Sequence, residues 1–347
     1  MAQTSAGTHY NWQAQQVLVT GAGGFIGSHL TERLVRLGAK VRALVHYNSR
    51  NEWGLLELLP AEILAHLDVF PGDLTDATLV RRAVADCQTV FHLGALIAIP
   101  YSYQAPRQFL DTNVMGTLNV LQACLETHVE KVIHTSTSEA YGTARYIPID
   151  EEHPLQGQSP YAASKIAADK VAESFYRSFE LPVATLRPFN TFGPRQSARA
   201  VIPAIISQAL TGATIKLGLL TPVRDFTFVE DTVSAFIKLV ESPQSIGEVF
   251  NTGTGRGITI GELALMILER CHGQRKMLKE GGAEQITTEQ ERFRPARSEV
   301  MTLICDNTKA LNILKWQPCY TLEHGLDCTI DYVQQHLKSY KPYFFNR

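Results

Sequence analysis

Four side chains with complementary chemistry occur close together in the sequence. Thr137 and Glu139 lie in a segment that begins at Val132, and Tyr161 and Lys165 follow in a second segment. Because Lys165 comes four residues after Tyr161, a helix would place both on one face, where the ammonium favours the phenolate. Such a pair can accept the proton of an alcohol while a nicotinamide cofactor takes the hydride. Glu139 supplies a base for a second reaction step.

A glycine-rich segment near the start of the chain predicts a site for that cofactor. Residues 17–27 read VLVTGAGGFIG, a strand-like run that leads through glycines into a predicted helix over 28–37. Three glycines in this spacing allow a tight turn, close approach of a pyrophosphate and close packing of the helix on the sheet. The predicted contacts of this loop are Gly21, Gly24, Phe25, Ile26 and Gly27.

The residues after the next two predicted strands bear on which dinucleotide binds. NAD-binding folds usually carry an acidic residue at the end of the second strand, where it binds the adenosine ribose. Val45 occupies that position here, and His46 and Arg50 follow. Since Arg50 could pair with a 2′-phosphate, the sequence leaves NAD and NADP open. Asp73 is placed to meet the adenine, although it could instead cap a helix that begins near Asp76.

The motifs together resemble one family. The chain carries TGAGGFIG, GDL, FHLGA, DTNVMGTLNVLQA, TSTSEAYG, YAASK, RPFNTFGPR, RDFTFVEDTV and RPARSEV. These motifs, from Gln16 to about Tyr332, are similar to those of extended short-chain dehydrogenase/reductases of the nucleotide-sugar epimerase/dehydratase family. Within it, ALIAIPYSY, EEHPLQGQSPYAASK and RPFNTFGPRQSARAVIP most resemble 4,6-dehydratases that act on N-acetylglucosamine nucleotides in legionaminic-acid-type pathways.

The resemblance implies a role for each catalytic residue. Thr137 would bind the sugar 4-hydroxyl, Tyr161 would remove its proton, and Lys165 would hold the ribose of a tightly bound NAD or NADP that is regenerated in each turnover. Glu139 would then remove the C5 proton as the C6 hydroxyl leaves as water, giving a 4-keto-6-deoxy sugar. Ser138 replaces the aspartate that acts as the acid in dTDP-glucose dehydratases. GDP-mannose-type dehydratases also carry a serine there, so Glu139 could serve as both base and acid.

The resemblance also implies cofactor and substrate contacts. The further cofactor contacts are His46, Arg50, Asp73, Leu74, Leu93, Gly94, Ala95, Thr112 and Pro188. The substrate contacts are Asn190, Arg195, Val201, Arg224 and Arg294, in which guanidinium groups suit diphosphate oxygens. Asn113 is expected to support the catalytic geometry, and His92 and His134 are expected to be packed strand residues.

Three other functions remain open from the sequence. A nucleotide-uronate decarboxylase also carries Thr-Ser-Glu before Tyr-Gly and would lose the C5 carboxylate instead of water. A 4-epimerase needs no base at the position that Glu139 occupies. A nucleotide-sensing regulatory protein would not require Thr137, Glu139, Tyr161 and Lys165 together.

Apolar runs alternate with helical periodicity through the first half of the chain, so we predict an α/β fold. Its expected form is a Rossmann-like doubly wound parallel sheet with a smaller mixed α/β substrate-binding domain. Residues 1–16 are polar and predict a flexible lead. The dinucleotide-binding domain is expected over 17–190 and about 225–255, and the substrate-binding domain over 191–224 and 256–347.

Composition limits the partners. The chain has 347 residues, 45 % hydrophobic, with a formal net charge of −2, which argues against a nucleic-acid partner. Six cysteines without metal-ligand spacing indicate reduced thiols and no metal site. The absence of a signal-peptide pattern or a long apolar run predicts a cytoplasmic protein without a membrane span.

Predicted helices over 113–127 and 161–179 are apolar on more than one side, and the family resemblance implies a homodimer through a four-helix bundle.

Overall fold

The computed structural model describes residues 10–212, 214–272 and 286–341. The strands are β1 Gln16–Thr20, β2 Lys40–His46, β3 Leu67–Gly72, β4 Thr89–His92, β5 Lys131–Thr135, β6 Val183–Pro188, β7 Asn190–Phe192, β8 Ile215–Leu217, β9 Val223–Phe228, β10 Val249–Thr252, β11 Gly257–Thr259, β12 Ile286–Thr288 and β13 Thr302–Leu303.

Helices separate most of these strands. The α-helices are α1 Phe25–Arg36, α2 Ala61–Leu64, α3 Ala77–Val84, α4 Ile99–Ser102, α5 Pro106–Phe109, α6 Gly116–Glu126, α7 Pro160–Phe179, α8 Val201–Leu210, α9 Val229–Glu241, α10 Ile260–His272, α11 Leu322–Gln335 and α12 Leu337–Tyr340. Short 3₁₀ turns occupy Trp12–Ala14, Gly54–Leu58, Ser138–Tyr141, Pro243–Ser245 and Gln290–Arg292, and π-helical turns occupy Leu110–Met115 and Ala310–Leu314.

The main sheet has seven parallel strands in the order β10-β6-β5-β4-β1-β2-β3. Val17, Leu18 and Val19 of β1 are all fully buried, as expected for a parallel sheet covered by helices on both faces. Helices α1 and α9 pack together, as do α3, α6 and α7. The order reverses between β1 and β4, so the carboxyl ends of these strands border the ligand crevice of a doubly wound sheet. The predicted fold class is confirmed.

A smaller sheet joins β7, β9, β11 and β13, with β9 at its centre. The predicted return to the dinucleotide-binding domain at about residue 225 falls inside β9. The structure instead places the whole of β9 in the smaller sheet, because it pairs with strands on both of its edges. The chain rejoins the main sheet with α9 and β10. The chain therefore passes between the two sheets more than once.

Trp12 lies in the segment predicted to be a flexible lead, but its side chain is 5 % exposed. Its indole Nε1 donates to Glu241 Oε1 at 3.3 Å, and its ring packs against Tyr10. Residues 10–16 are therefore part of the packed fold, because a large aromatic surface is buried against the main sheet's helices. Residues 1–9 lie outside the described part of the chain.

Candidate active site

The glycine loop connects β1 to α1 as predicted. Gly21 has φ +68°, a left-handed conformation that favours glycine. A β-carbon on Gly21 would lie 2.8 Å from Gly94 Cα, and one on Gly27 would overlap the Gly21 carbonyl oxygen. The turn can therefore be this tight only while these positions lack side chains, and the N-terminus of α1 directs its dipole at the space beyond the loop.

Two features that we did not predict support this loop. Trp53, Gly54 and Leu55 cross over it, and Leu55 N donates to Gly23 O at 2.9 Å. Beneath it, Thr20 Oγ1 accepts from Gly94 N at 3.0 Å. The same hydroxyl lies 2.8 Å from His92 Nδ1, whose other nitrogen lies 3.0 Å from Thr117 Oγ1. His92 is therefore a packed strand residue, as expected.

The other predicted cofactor contacts lie along the same carboxyl edge. Leu93, Gly94 and Ala95 directly follow β4, Pro188 ends β6, and Thr112 lies in the π-helical turn before α6. Leu74 is 7 % exposed, and its Cδ1 would touch a β-carbon on Gly94. These residues therefore occupy the positions required to line a cofactor crevice.

The end of β2 carries polar and charged groups at the mouth of a small cleft. His46 Nε2 lies 3.4 Å from Asp73 Oδ2, and Arg50 Nη1 lies 3.5 Å from Glu52 Oε1. Asp73 also accepts from the backbone and hydroxyl of Thr75, both at 2.8 Å. Asp76 is the residue that caps α3, so Asp73 does not serve as the cap of that helix.

The four catalytic candidates converge beyond the end of β5. Thr137 begins the turn Ser138–Tyr141, and its hydroxyl accepts from Glu139 N at 3.2 Å. Thr137, Ser138 and Glu139 are 9 %, 3 % and 8 % exposed. Tyr161 and Lys165, on one face of α7, are 7 % and 5 % exposed. Glu139 is therefore a carboxylate within the cleft and not one on a solvated loop.

Tyr161 is held as a neutral phenol in this environment. Burial raises its pKa to about 12, and the charges of Glu139 and Asp169 add to this effect, while a hydrogen bond with Thr137 opposes it. Lys165 Nζ donates to Thr135 O at 2.6 Å. Burial lowers the Lys165 pKa to about 8. Burial therefore outweighs the expected lowering of the Tyr161 pKa by the ammonium, and Lys165 is engaged by the Thr135 carbonyl.

Asn113 connects the catalytic helix to the loop after β4. Its side chain accepts from Leu96 N at 2.8 Å and donates to Leu96 O at 2.9 Å. It also donates to Ser164 Oγ at 2.9 Å, which in turn donates to Tyr161 O at 2.7 Å. These bonds agree with the expected supporting role.

Arg224 and Arg294 meet two carboxylates in the cleft, forming a group that we call the charge cluster: Arg224, Arg294, Glu139 and Glu299. Arg294 Nη1 lies 3.4 Å from Glu139 Oε1 and 3.9 Å from Glu299 Oε1. Arg224 Nη2 lies 3.5 Å from the same Glu299 oxygen. Burial lowers the Arg224 pKa, and Glu139 opposes that shift. The two arginines predicted to bind diphosphate therefore share Glu299 as an ionic partner, and Arg294 also pairs with Glu139.

Glu299 was not predicted as a site residue, although it lies in the RPARSEV motif. Its segment is held over the cleft by hydrogen bonds from neighbouring loops. Tyr103 OH lies 2.6 Å from Ser298 Oγ, and Gln158 Nε2 donates to Glu299 O at 3.3 Å. Tyr103, the last residue of the ALIAIPYSY string, is thus part of the cleft wall.

Arg195 does not join the other two arginines. Its guanidinium forms an ion pair with Glu32 of α1 at 2.6 Å and donates to Ser28 Oγ at 3.3 Å. Its backbone adopts φ +67°, a conformation that directs the side chain to the cofactor helix. Arg195 therefore links the segment after β7 to α1, and its diphosphate contact stays a prediction.

Asn190 and Val201, two further predicted substrate contacts, each begin a secondary-structure element. Asn190 begins β7, and its Oδ1 is buried without a hydrogen-bond partner among the described residues. Val201 begins α8. A buried acceptor without a donor is costly for a protein, so Asn190 is suited to receive a hydrogen bond from a ligand.

A buried polar network behind the catalytic residues was also missed. Asp169 of α7 pairs with Arg187 of β6 at 2.9 Å and with His134 of β5 at 3.0 Å. Arg187 Nη1 donates to Tyr141 OH at 3.0 Å, and Tyr141 OH donates to Asn251 Oδ1 at 2.8 Å. The sequence signal that could have revealed this network is the regular spacing of four residues between Tyr161, Lys165 and Asp169, which places all three on one helix face.

Comparison with known proteins identifies the family. The family model described as GDP-mannose 4,6 dehydratase matches residues 18–329. The chain belongs to this family. It is 33 % identical over 323 residues to a UDP-glucose 4-epimerase of Mycolicibacterium smegmatis, covering 91 % of this chain and 98 % of that protein. It is 30 % identical over 334 residues to a dTDP-glucose 4,6-dehydratase of Xanthomonas campestris, covering 91 % and 92 %.

A solved structure of a dTDP-glucose 4,6-dehydratase agrees with this assignment. The crystal structure of DesIV from Streptomyces venezuelae, which contains NAD, superimposes with a TM-score of 0.79 at 27 % identity and covers 95 % of this chain and 100 % of that chain. The resemblance to extended short-chain dehydrogenase/reductases of the epimerase/dehydratase family is confirmed. Family members at this level of similarity include both dehydratases and epimerases.

No helix in residues 10–212, 214–272 or 286–341 is long and apolar enough to cross a membrane. Within the same ranges, no group of three or more His, Cys, Asp or Glu side chains could hold a metal ion.

Proposed function

We propose that the protein is a nucleotide-sugar 4,6-dehydratase. The observation that carries this proposal is the position of Glu139, 8 % exposed in the same turn as Thr137 and within electrostatic reach of Tyr161. Oxidation at C4 requires a hydroxyl, a phenol and an amine. A buried carboxylate beside them supplies what elimination additionally requires.

The crevice fits a nicotinamide dinucleotide. A β-carbon at Gly21 or Gly27 would fill the turn, so the backbone there can approach a pyrophosphate at the N-terminus of α1. NAD or NADP, when bound, would take the hydride from C4 and return it at C6. Gly21, Gly24 and Gly27 would hold the pyrophosphate, and Lys165 would hold the nicotinamide ribose. His46, Arg50 and Asp73 would hold the adenosine.

Tyr161 begins the proposed chemistry as a base. Thr137 orients the 4-hydroxyl and Tyr161 accepts its proton. Lys165 remains largely protonated at neutral pH, since its pKa is about 8, so its ammonium can stabilise the phenolate once it turns from Thr135 O. Deprotonation of Tyr161 costs substantial free energy, because burial holds its pKa at about 12 before ligands bind.

Glu139 then acts on the adjacent carbon. The 4-ketone makes the C5 proton acidic, and Glu139 removes it. Ser138 cannot donate a proton as readily as a carboxylic acid, so Glu139 passes the proton it has taken to the departing C6 hydroxyl. One residue therefore serves as base and acid in sequence, water is lost, and C5 would take up a proton from solvent once the hydride has been returned at C6.

The charge cluster supports a substrate with a diphosphate. Arg224 and Arg294 are two guanidinium groups in one cleft, and fork geometry suits phosphate oxygens. Asn190 and Val201 complete the proposed contacts. The motif strings favour N-acetylglucosamine attached to UDP or GDP as the sugar nucleotide.

A 4-epimerase is the second candidate, because the chain is 33 % identical to a protein of that name.

The proposed function is tested with UDP- and GDP-N-acetylglucosamine in heavy water, with UDP-glucuronate included to detect a decarboxylase. We expect a 4-keto-6-deoxy product that carries deuterium at C5. C4 epimers without solvent deuterium would identify an epimerase, carbon dioxide a decarboxylase, and the absence of turnover on the whole panel would favour a regulatory protein.

We also propose a homodimer in which α6 and α7 of two copies form a four-helix bundle. Leu121 and Phe175 are buried within the chain's own core, so they are not available for such contacts. Met115, Tyr176 and Phe179 remain 49 %, 37 % and 54 % exposed around these helices. Light scattering after size-exclusion chromatography tests this proposal, and a monomer at micromolar concentration would contradict it.

A further inference from the structure

Asp169 is a buried carboxylate that the proposed chemistry does not use. It is 5 % exposed and accepts hydrogen bonds from three side chains. His134 Nε2 lies 3.0 Å from Oδ1, while Ser136 Oγ and Arg187 Nη2 lie 2.6 Å and 2.9 Å from Oδ2. These donors come from β5, from the residue directly after it and from β6.

We propose that Asp169 is a positioning residue for the reaction, which keeps Lys165 in its ammonium form and fixes the strand end that carries Thr137. The proposal rests on the proposed function in one respect, namely that Lys165 serves Tyr161 during oxidation.

Tyr161, Lys165 and Asp169 are spaced four residues apart on α7, so they share the face turned toward β5 and β6. Lys165 Nζ donates to Thr135 O at 2.6 Å, and Asp169 accepts from Ser136 Oγ at 2.6 Å. The two residues before Thr137 are thus held from one helix face, and Thr137 takes its position from them.

Lys165 interacts electrostatically with His92 of β4, with His134 of β5 and with Asp169 of its own helix. Burial lowers the pKa of both histidines, so they are neutral at pH 7. Asp169 is therefore the negative charge among these groups.

Asp169 therefore opposes the effect of burial on Lys165. Burial lowers the Lys165 pKa to about 8, and the charge of Asp169 acts in the opposite direction. Without that charge, the buried amine of Lys165 would lose its proton at still lower pH.

The test measures the titration of Lys165 directly, by NMR of protein with ¹³C-labelled lysine, with the resonance assigned by its loss in Lys165→Met. We expect a midpoint near the pKa of about 8 for the wild-type protein. Asp169→Asn should move it downward by about one pH unit or more. The matched control is Asp231→Asn, because Asp231 is also a buried carboxylate, 2 % exposed, but accepts from Cys319 N and Tyr320 N.

A second variant covers the case in which Asp169→Asn does not fold. Arg187→Gln leaves Asp169 its bonds from His134 and Ser136 but removes the cation that pairs with it. The charge of Asp169 should then act more strongly on Lys165, so the Lys165 midpoint should rise. An unchanged midpoint in folded Asp169→Asn would overturn the proposal. If only Arg187→Gln can be prepared, an unchanged or lowered midpoint in that variant would overturn it.

The titration does not require turnover, so it separates this proposal from the proposed function. Where the wild-type protein reduces its cofactor with a sugar nucleotide, the alkaline limb of that reaction should move with the Lys165 midpoint in each variant. A protein that turns over no sugar nucleotide would contradict the proposed function, while the Lys165 midpoint would still decide the role of Asp169.

Discussion

The guanidinium of Arg294 lies 3.4 Å from the carboxylate of Glu139. The residue proposed to bind the substrate diphosphate is therefore also the ionic partner of the proposed C5 base. A diphosphate in this cleft would compete with Glu139 for the same cation. Binding of the nucleotide and availability of the base are thus linked through one side chain.

Arg294→Gln should weaken both the binding of the nucleotide and the action of the proposed C5 base. Charge-assisted hydrogen bonds contribute about 1.5–3 kcal/mol, so kcat/KM for the sugar nucleotide should fall by about tenfold to a hundredfold, mainly through KM. Steady-state kinetics measures this change. Arg256→Gln is the control, since Arg256 is an exposed arginine outside the cleft, and an equal loss in both variants would contradict the assignment.

Glu139→Gln should separate the two reaction steps. Oxidation at C4 does not use Glu139, so absorbance at 340 nm should show the reduced cofactor accumulating after substrate is added. Elimination should slow by about 10²–10⁴-fold, the usual contribution of a general acid–base residue. The exposed Glu152 provides the control variant Glu152→Gln. Unimpaired formation of the 4-keto-6-deoxy product by Glu139→Gln would exclude the carboxylate as the base.

Gly27→Ala should disrupt the cofactor loop, because the new β-carbon would overlap the Gly21 carbonyl oxygen. Overpacking of this kind costs about 1–3 kcal/mol, and NAD affinity should fall as the turn moves. Calorimetric titration with NAD and NADP, together with urea unfolding, measures both effects. In Gly261→Ala, the β-carbon would meet only ordinary contacts at 3.5 Å or more, so that control should bind the cofactor normally.

Lys131 should make folding stability depend on pH. It is 7 % exposed and donates to Val240 O and Ser242 O, and burial lowers its pKa from 10.5 to about 8. Between those values the unfolded chain binds more protons, so the free energy of unfolding should rise with pH. Urea unfolding at pH 7.5 and 9.5 should show a larger rise for the wild-type protein than for Lys131→Met. Identical rises would show that Lys131 titrates alike in both states.

Local patterns predicted the parts of the site that depend on local structure. The glycine loop follows from spacing within one turn, and the shared face of Tyr161 and Lys165 follows from one helix. Thr137 and Glu139 are brought to that face because a parallel sheet places its carboxyl strand ends along one edge. Predicting these elements requires no knowledge of contacts between residues that are distant in sequence.

Residues whose partners are distant in sequence could not be placed in this way. Arg195 finds Glu32, which is 163 residues away, through a backbone conformation that its GPR sequence does not specify. Trp12 appeared to belong to a polar lead because its partner Glu241 is separated from it by 229 residues. The raised Tyr161 pKa likewise depends on the completeness of burial, which the spacing of Tyr161 and Lys165 does not encode.

The passage of the chain between the two sheets limits how this protein can be re-engineered. Asn190–Phe192 and Val223–Phe228 belong to the smaller sheet, yet Val249–Thr252 closes the edge of the larger one. The substrate-side wall is therefore discontinuous in the chain. A chimera intended to exchange sugar or nucleotide preference with a relative would have to transplant residues 190–228 and 253–341 together, with the intervening α9 and β10 kept from the recipient.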